Sequence, residues 1–305
     1  MTEVISYLFT SLNELNPQYT TLPLWPDTLT KAAPIGLQQS YIERGDPQCH
    51  DRLTINTTQP EVTVVTPSAS NGIGILLIPG GGYTKIAYDK EGIDIAKEMS
   101  AQGYTCFVLN YRLPGDGHAM GSEATLADAQ RAIRIIRHQQ HTWQISSIGA
   151  VGFSAGGHLA GWLGAAYERA TYTPRELCDS VSARPDFLGL IYPVISMNAE
   201  VTHLGSRQQL LGTLAHETLH PTYSIETMVH DAMPPCFLLH ANDDPAVSAE
   251  NSLIMWQALK AHNIPVEMHL VEKGGHGFGI KQTRGLPVAT WPQWLNQWIR
   301  HHKFA

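Results

Sequence analysis

The chain has 305 residues, of which 43% are hydrophobic and 15% charged, and its formal net charge is −7. This balance suits a large globular core and excludes intrinsic disorder, and the acidic sign argues against a nucleic-acid surface, which needs clustered Lys and Arg. The length fits one long α/β domain. The opening residues lack a basic n-region and carry only a short, broken apolar run. Neither a signal peptide nor a membrane span is read there, so a cytoplasmic location without membrane partners is expected. Cys49, Cys106, Cys178 and Cys236 are widely separated, with no C-x-x-C or Cys/His spacing, and are expected to be free thiols.

Residues 1–50 are rich in Pro, Leu and polar groups without sustained periodicity, and read as an irregular segment packed on the domain. Short β-branched runs at Leu53–Thr57, Val62–Thr66 and Ile73–Ile78 then read as strands. The third is apolar throughout, as befits a central strand covered on both faces, and it ends in Pro79-Gly80-Gly81-Gly82-Tyr83. A helix carrying Ile93, Ile95, Ala96 and Met99 follows, closed by Gly103, and then a strand at Thr105–Leu109. Ala124–His138 reads as an amphipathic helix with Leu126, Ala129, Ile133 and Ile136 inward and Arg131, Arg134 and Arg137 on a solvated face. Beyond the apolar run Ile148–Val151, strands are expected at Phe187–Tyr192, Cys236–His240 and Val266–Val271. Helices are expected at Ala249–His262 and Trp291–His302, with an irregular insert at 193–235. Such alternation implies a single catalytic domain over 51–305, built on a mostly parallel sheet of about eight strands flanked by helices.

Gly152-Phe153-Ser154-Ala155-Gly156 fits G-x-S-x-G between a strand and a small-residue helix, the strained elbow that lifts a serine oxygen clear of its turn. A serine hydroxyl needs a base within hydrogen-bond reach, and the base needs a partner that fixes its tautomer. Both should come from loops that leave the carboxyl ends of later strands. Of the fifteen histidines only His276 sits between glycines in such a loop, so it is the expected base, and His158, one turn past the serine, reads as packing. Asp244 is the expected orienting carboxylate because of its D-x-x-V spacing to Val247, with Asp243 as a turn cap. Oxyanion donors are expected from the Ala155 backbone and from Gly81 or Gly82. The triple glycine lacks the G-K-[ST] ending of a P-loop and the G-x-G-x-x-G spacing of a dinucleotide fold, which argues against both, and with no Cys/His metal spacing in the chain no metal or organic cofactor is implied.

The ordered set PGGGY, DKEG, FVLNYRL, GFSAGGHLAGWL, RPDF, YPVISM, HANDDPAVSAENS and EKGGHGFG resembles the acetyl-xylan-esterase-like branch of the α/β-hydrolase esterases over roughly residues 60 to 300. The resemblance implies a Ser154, Asp244, His276 triad, an oxyanion hole from the glycine loop and Ala155, and short acyl groups on sugars as substrates. Relatives commonly carry a His-Pro loop where this chain has Gly115–Met120, a segment expected on the substrate side. Tyr83 is expected near the mouth, restricting the acyl side. The leading expectation is a serine esterase that removes O-acetyl groups from xylan fragments or related sugars, with a small-molecule or oligosaccharide ester as its partner. The alternatives are a general short-chain carboxylesterase, a prolyl-oligopeptidase-type peptidase and a non-catalytic binding protein. The peptidase class normally brings a large N-terminal domain that fifty irregular residues cannot supply. Oligomeric state is left open.

Overall fold

The computed structural model describes residues 5–26, 33–212 and 219–304. Before the first expected strand the chain already forms regular structure: β1 (Ser6–Leu8), α1 (Leu12–Leu15), β2 (Thr20–Pro23) and β3 (Ser40–Glu43). The single-turn α1 is held by a capping box in which Ser11 and Glu14 each accept from the other's backbone N–H. β4 (Arg52–Ile55) pairs antiparallel with β3, which pairs with β1, so these three form a small separate sheet.

The main sheet has eight strands, as expected in number, but one member differs. β4 lies outside it, and β2 takes the edge place beside β5 (Glu61–Val65). Pro23 is tolerated there because an edge strand leaves alternate N–H positions without a partner. Next come β6 (Ile73–Ile78), α2 (Asp94–Ser100), β7 (Thr105–Asn110), α3 (Glu123–His138), β8 (Ser147–Phe153), α4 (Ala155–Ala165) and β9 (Leu188–Ile191). In the insert, α5 (Leu204–Leu211) and α6 (His220–Tyr223) precede β10 (Cys236–Ala241), α7 (Glu250–Ala261), β11 (Val266–Val271) and α8 (Trp291–His302). Leu214, His216 and Glu217 of the expected irregular insert lie outside the described residues. The sheet order is β2-β5-β7-β6-β8-β9-β10-β11, parallel from β7 to β11 and antiparallel at the β5 and β2 edge. This is an α/β-hydrolase fold.

Alternation along β6 shows why that run is apolar at every position: Leu76 and Ile78 join the core under α3, α4 and α7, while Ile75 and Leu77 join the core under α2 and α8. Chain order reverses at the centre, because β7 lies to one side of β6 and β8 to the other. The loops leaving β6 and β8 therefore diverge and open a crevice above the carboxyl ends of the strands.

The arginines of α3 do not form a solvated face. Arg131 is buried, ion-paired to Asp179 and Glu176, bonded to the Leu24 carbonyl, and lies 5.1 Å from the Trp25 ring centroid. Arg134 donates to the Tyr172 hydroxyl and Arg137 to the Arg184 carbonyl. A second layer, made by the N-terminal segment and the stretch after α4, covers a helix face that periodicity alone assigns to water. Among the described residues the cysteines are free, with Cys49 exposed and Cys106, Cys178 and Cys236 buried.

Candidate active site

β8 ends at the elbow, and the glycines there are sterically required. A Cβ at 152 would stand 2.2 Å from the Gly156 carbonyl oxygen, and one at 156 would stand 2.1 Å from the Ile78 oxygen. Squeezed between them, Ser154 adopts φ 53° and ψ −120°, a conformation that L-residues rarely enter and that holds its side chain above the turn. α4 begins at the next residue, so its unpaired N–H groups and positive dipole end lie beside the serine.

The other two expected residues arrive from the far side of the sheet. Ala241 and Val271 are in register at the ends of β10 and β11, so the loops carrying Asp244 and His276 leave at one level. His276 Nε2 lies 2.9 Å from Ser154 Oγ, and its Nδ1 lies 2.7 Å from Asp244 Oδ2. The Asp244 side chain is buried, and its other oxygen accepts the N–H groups of Ala246 and Val247. Burial opposes its charge, yet the hydrogen bonds from His240, His276 and Val247 hold its carboxyl well below the usual carboxylate range. An ionised acceptor at Oδ2 requires a proton on His276 Nδ1, which leaves Nε2 as the acceptor facing the serine hydroxyl. Asp243 instead accepts from Gly274 and Gly275, at 2.9 and 2.8 Å, and shapes the turn.

The glycine loop after β6 faces Ser154 across the crevice. Gly81 and Gly82 have φ of 136° and 66°, and both line the cavity. At Gly81 a Cβ would collide with the Lys85 oxygen at 2.1 Å. Tyr83 departs from expectation. It is fully buried rather than at the mouth, because a φ of 62° turns its ring inward, where the hydroxyl meets His158 Nδ1 at 2.7 Å. His158 is the packing residue expected; its Nε2 faces the Tyr223 oxygen, and burial lowers its pKa to about 4. No residue of the Gly115–Met120 loop lines the cavity, and Gly115 lies against the side chain of Gln209, which does.

Several participants are not assigned by sequence reasoning. A π-turn at Asp89–Ile93, anchored by a buried Arg52–Asp89 ion pair, turns Glu91 beneath the site. Glu91 accepts the Gly80 N–H at 2.8 Å and the Tyr192 hydroxyl at 3.1 Å, and the Tyr192 ring packs edge-on against His276. One buried carboxylate thus ties the glycine loop to the histidine loop, and burial pushes its pKa up. From the insert, His203 lines the cavity with its Nδ1 engaged by Ser206, and Gln208 and Gln209 stand on α5 beside it. These side chains stand in no catalytic motif and meet through packing.

The cavity above Ser154 and His276 measures about 370 Å³ and takes Arg44, Leu53, Lys85 and Lys90 on its remaining walls. Among the described residues no three His, Cys, Asp or Glu side chains gather in a metal-holding arrangement, and no helix is long and apolar enough to cross a membrane.

A serine elbow at the switch point of a parallel sheet, faced by a histidine and a carboxylate from later strand ends, defines the α/β-hydrolase class. Residues 65–259 match the BD-FAE family model, and the chain belongs to that family, an α/β-hydrolase similar to acetylxylan esterases. It is 30% identical over 242 residues to an acetylxylan esterase of Xylanibacter ruminicola, covering 76% of this chain and 47% of that one. It is 33% identical over 208 residues to endo-1,4-beta-xylanase B of Butyrivibrio fibrisolvens, covering 68% and 32%. The chain therefore spans about half the length, or less, of these curated relatives. The crystal structure of an acetyl ester-xyloside bifunctional hydrolase from Caldicellulosiruptor lactoaceticus matches with a TM-score of 0.74 at 34% identity, over 93% of this chain and 97% of that one.

Proposed function

We propose that the chain is a serine esterase that hydrolyses short-chain acyl esters, above all O-acetyl groups on xylan fragments or related sugars, through an acyl-enzyme. The observation that carries this reading is the unbroken path Ser154–His276–Asp244 at the floor of an open cavity. His276 Nε2 takes the proton as Ser154 Oγ attacks the acyl carbon, and Asp244 stabilises the imidazolium that forms. The tetrahedral oxyanion is received by the N–H groups of Ala155 and of Gly81 or Gly82, reinforced by the start of α4. His276 then hands its proton to the departing alcohol, and water repeats the sequence to release the acid. Asp243 has no part beyond its turn.

The sugar is favoured by what surrounds Ser154: His203, Gln208 and Gln209 offer hydrogen bonds where a lipase would present an apolar trench. Acetate release from acetylated xylo-oligosaccharides, beside acetylated chitin and 4-nitrophenyl acetate, tests the reading with Ser154→Ala as control. Turnover of the aryl ester without any acetylated sugar would reduce the activity to that of a general carboxylesterase.

A further inference from the structure

In a chain of net charge −7, the cavity over Ser154 is bordered by three cations, Arg44, Lys85 and Lys90, and by one carboxylate, the buried Glu91. Their states differ. Arg44 is paired to Asp51 at 2.7 Å. Lys90 donates to the Gln282 amide oxygen at 3.0 Å, which leaves its charge without a salt-bridge partner among the described residues, and Lys85 likewise has none there. Partial burial lowers the Lys90 pKa, with the Glu91 charge opposing that effect.

The position of each lysine relative to the reacting atoms follows from the glycines. A Cβ on Gly277, the neighbour of His276, would stand 3.6 Å from Lys90 Nζ. A Cβ on Gly81 would stand 3.0 Å from Lys85 Cγ, so that lysine stem packs on the glycine loop. His276 must reach the departing oxygen, so the alcohol half of an ester lies on the His276–Gly277 side, beside Lys90. Glu91 Oε1 is also 3.6 Å from that Gly277 point, which favours a monoanion over a phosphate dianion.

We propose that the alcohol half of the substrate bears a carboxylate, received by Lys90 with Lys85 at the glycine-loop wall of the same cavity, so that the preferred ester is an acylated uronic-acid-type sugar. This rests on the serine-esterase reading and names its substrate class. An added anion gives a partner to two lysines that have no salt bridge among the described residues, and it steers the substrate toward Ser154 against the overall negative field.

The test compares kcat/KM for an O-acetylated methyl glucuronoside with that of its C6 primary amide, which keeps the shape and removes the charge. At low salt the acid should be preferred about tenfold, each exposed cation contributing up to about fivefold. Lys90→Gln and Lys85→Gln should each lower the acid-to-amide ratio, whatever they do to the absolute rates, and 0.5 M NaCl should compress it in the wild type. An acid-to-amide ratio of one or less, or a ratio unmoved in both variants, overturns the proposal. Hydrolysis of 4-nitrophenyl acetate and of the amide separates the two levels. If both are turned over with no preference for the acid, only the carboxylate fails; if neither is turned over, the esterase reading fails and takes the carboxylate with it.

Discussion

Asp244→Asn isolates the tautomer argument. In the wild type one carboxylate oxygen accepts from Ala246 and Val247, and the other faces His276 Nδ1 at 2.7 Å and His240 Nε2 at 3.3 Å. An asparagine keeps a single acceptor, and the two loop N–H groups hold it, so the new NH2 points at His276. A donor facing Nδ1 forces the proton onto Nε2, where it opposes the Ser154 hydroxyl, and the base is lost. The loss in kcat should be on the order of 10⁴, or about 5.5 kcal/mol of barrier, with KM little changed. Asp243→Asn retains an oxygen for Gly274 and Gly275 and should cost less than about tenfold. Steady-state hydrolysis of 4-nitrophenyl acetate, on variants whose thermal unfolding shows them folded, measures both. Equal damage from the two substitutions, or greater damage at 243, would refute the reasoning.

Ser154→Ala and His276→Ala should each remove about 10⁶ of kcat, and the double variant should be no worse, since the group acts as a unit; additive losses in the rates would contradict this. With polar His203, Gln208 and Gln209 around the cavity, kcat/KM should fall from aryl acetate to butyrate to octanoate, whereas an apolar trench would gain about 0.8 kcal/mol per methylene; a rising series would replace the sugar reading with a lipase-like one. Asp179 supplies the pH dependence of stability. Against burial, which raises it, Arg131, the N–H groups of Arg175 and Glu176 and the Tyr172 hydroxyl hold its carboxyl at about 2 instead of 3.8. A depressed carboxylate stabilises the fold above its unfolded value and loses that contribution as pH falls from about 4 toward 2, here about 2 kcal/mol. The Tm gap between wild type and Asp179→Asn should therefore narrow across that window, and a constant gap would remove the assignment. Activity should persist in EDTA; loss restored by zinc would point to metal-assisted hydrolysis.

The sequence by itself determined the parts whose signals are local. A run apolar at every position marks β6 as covered on both faces, and the elbow glycines announce a turn that only they can make. Glycine-flanked His276 and the D-x-x-V loop stand just after strands, and a parallel sheet brings such loops to one edge. Tertiary structure decided whatever depends on a partner distant in the chain. Periodicity places Arg131 on the outer face of α3, but only the fold shows that Leu24, Trp25 and Asp179 cover that face. The edge place of β2 depends on the hydrogen-bonding groups that β5 leaves open, and Tyr83 turns inward because His158 waits beneath it. Glu91, His203, Lys85 and Lys90 carry no spacing signal, since the glycine loop, the π-turn that follows it and the start of an insert helix bring them to Ser154 only through the packing of the closed sheet. Short-range sterics write the elbow into the sequence; the walls around it are set by long-range packing.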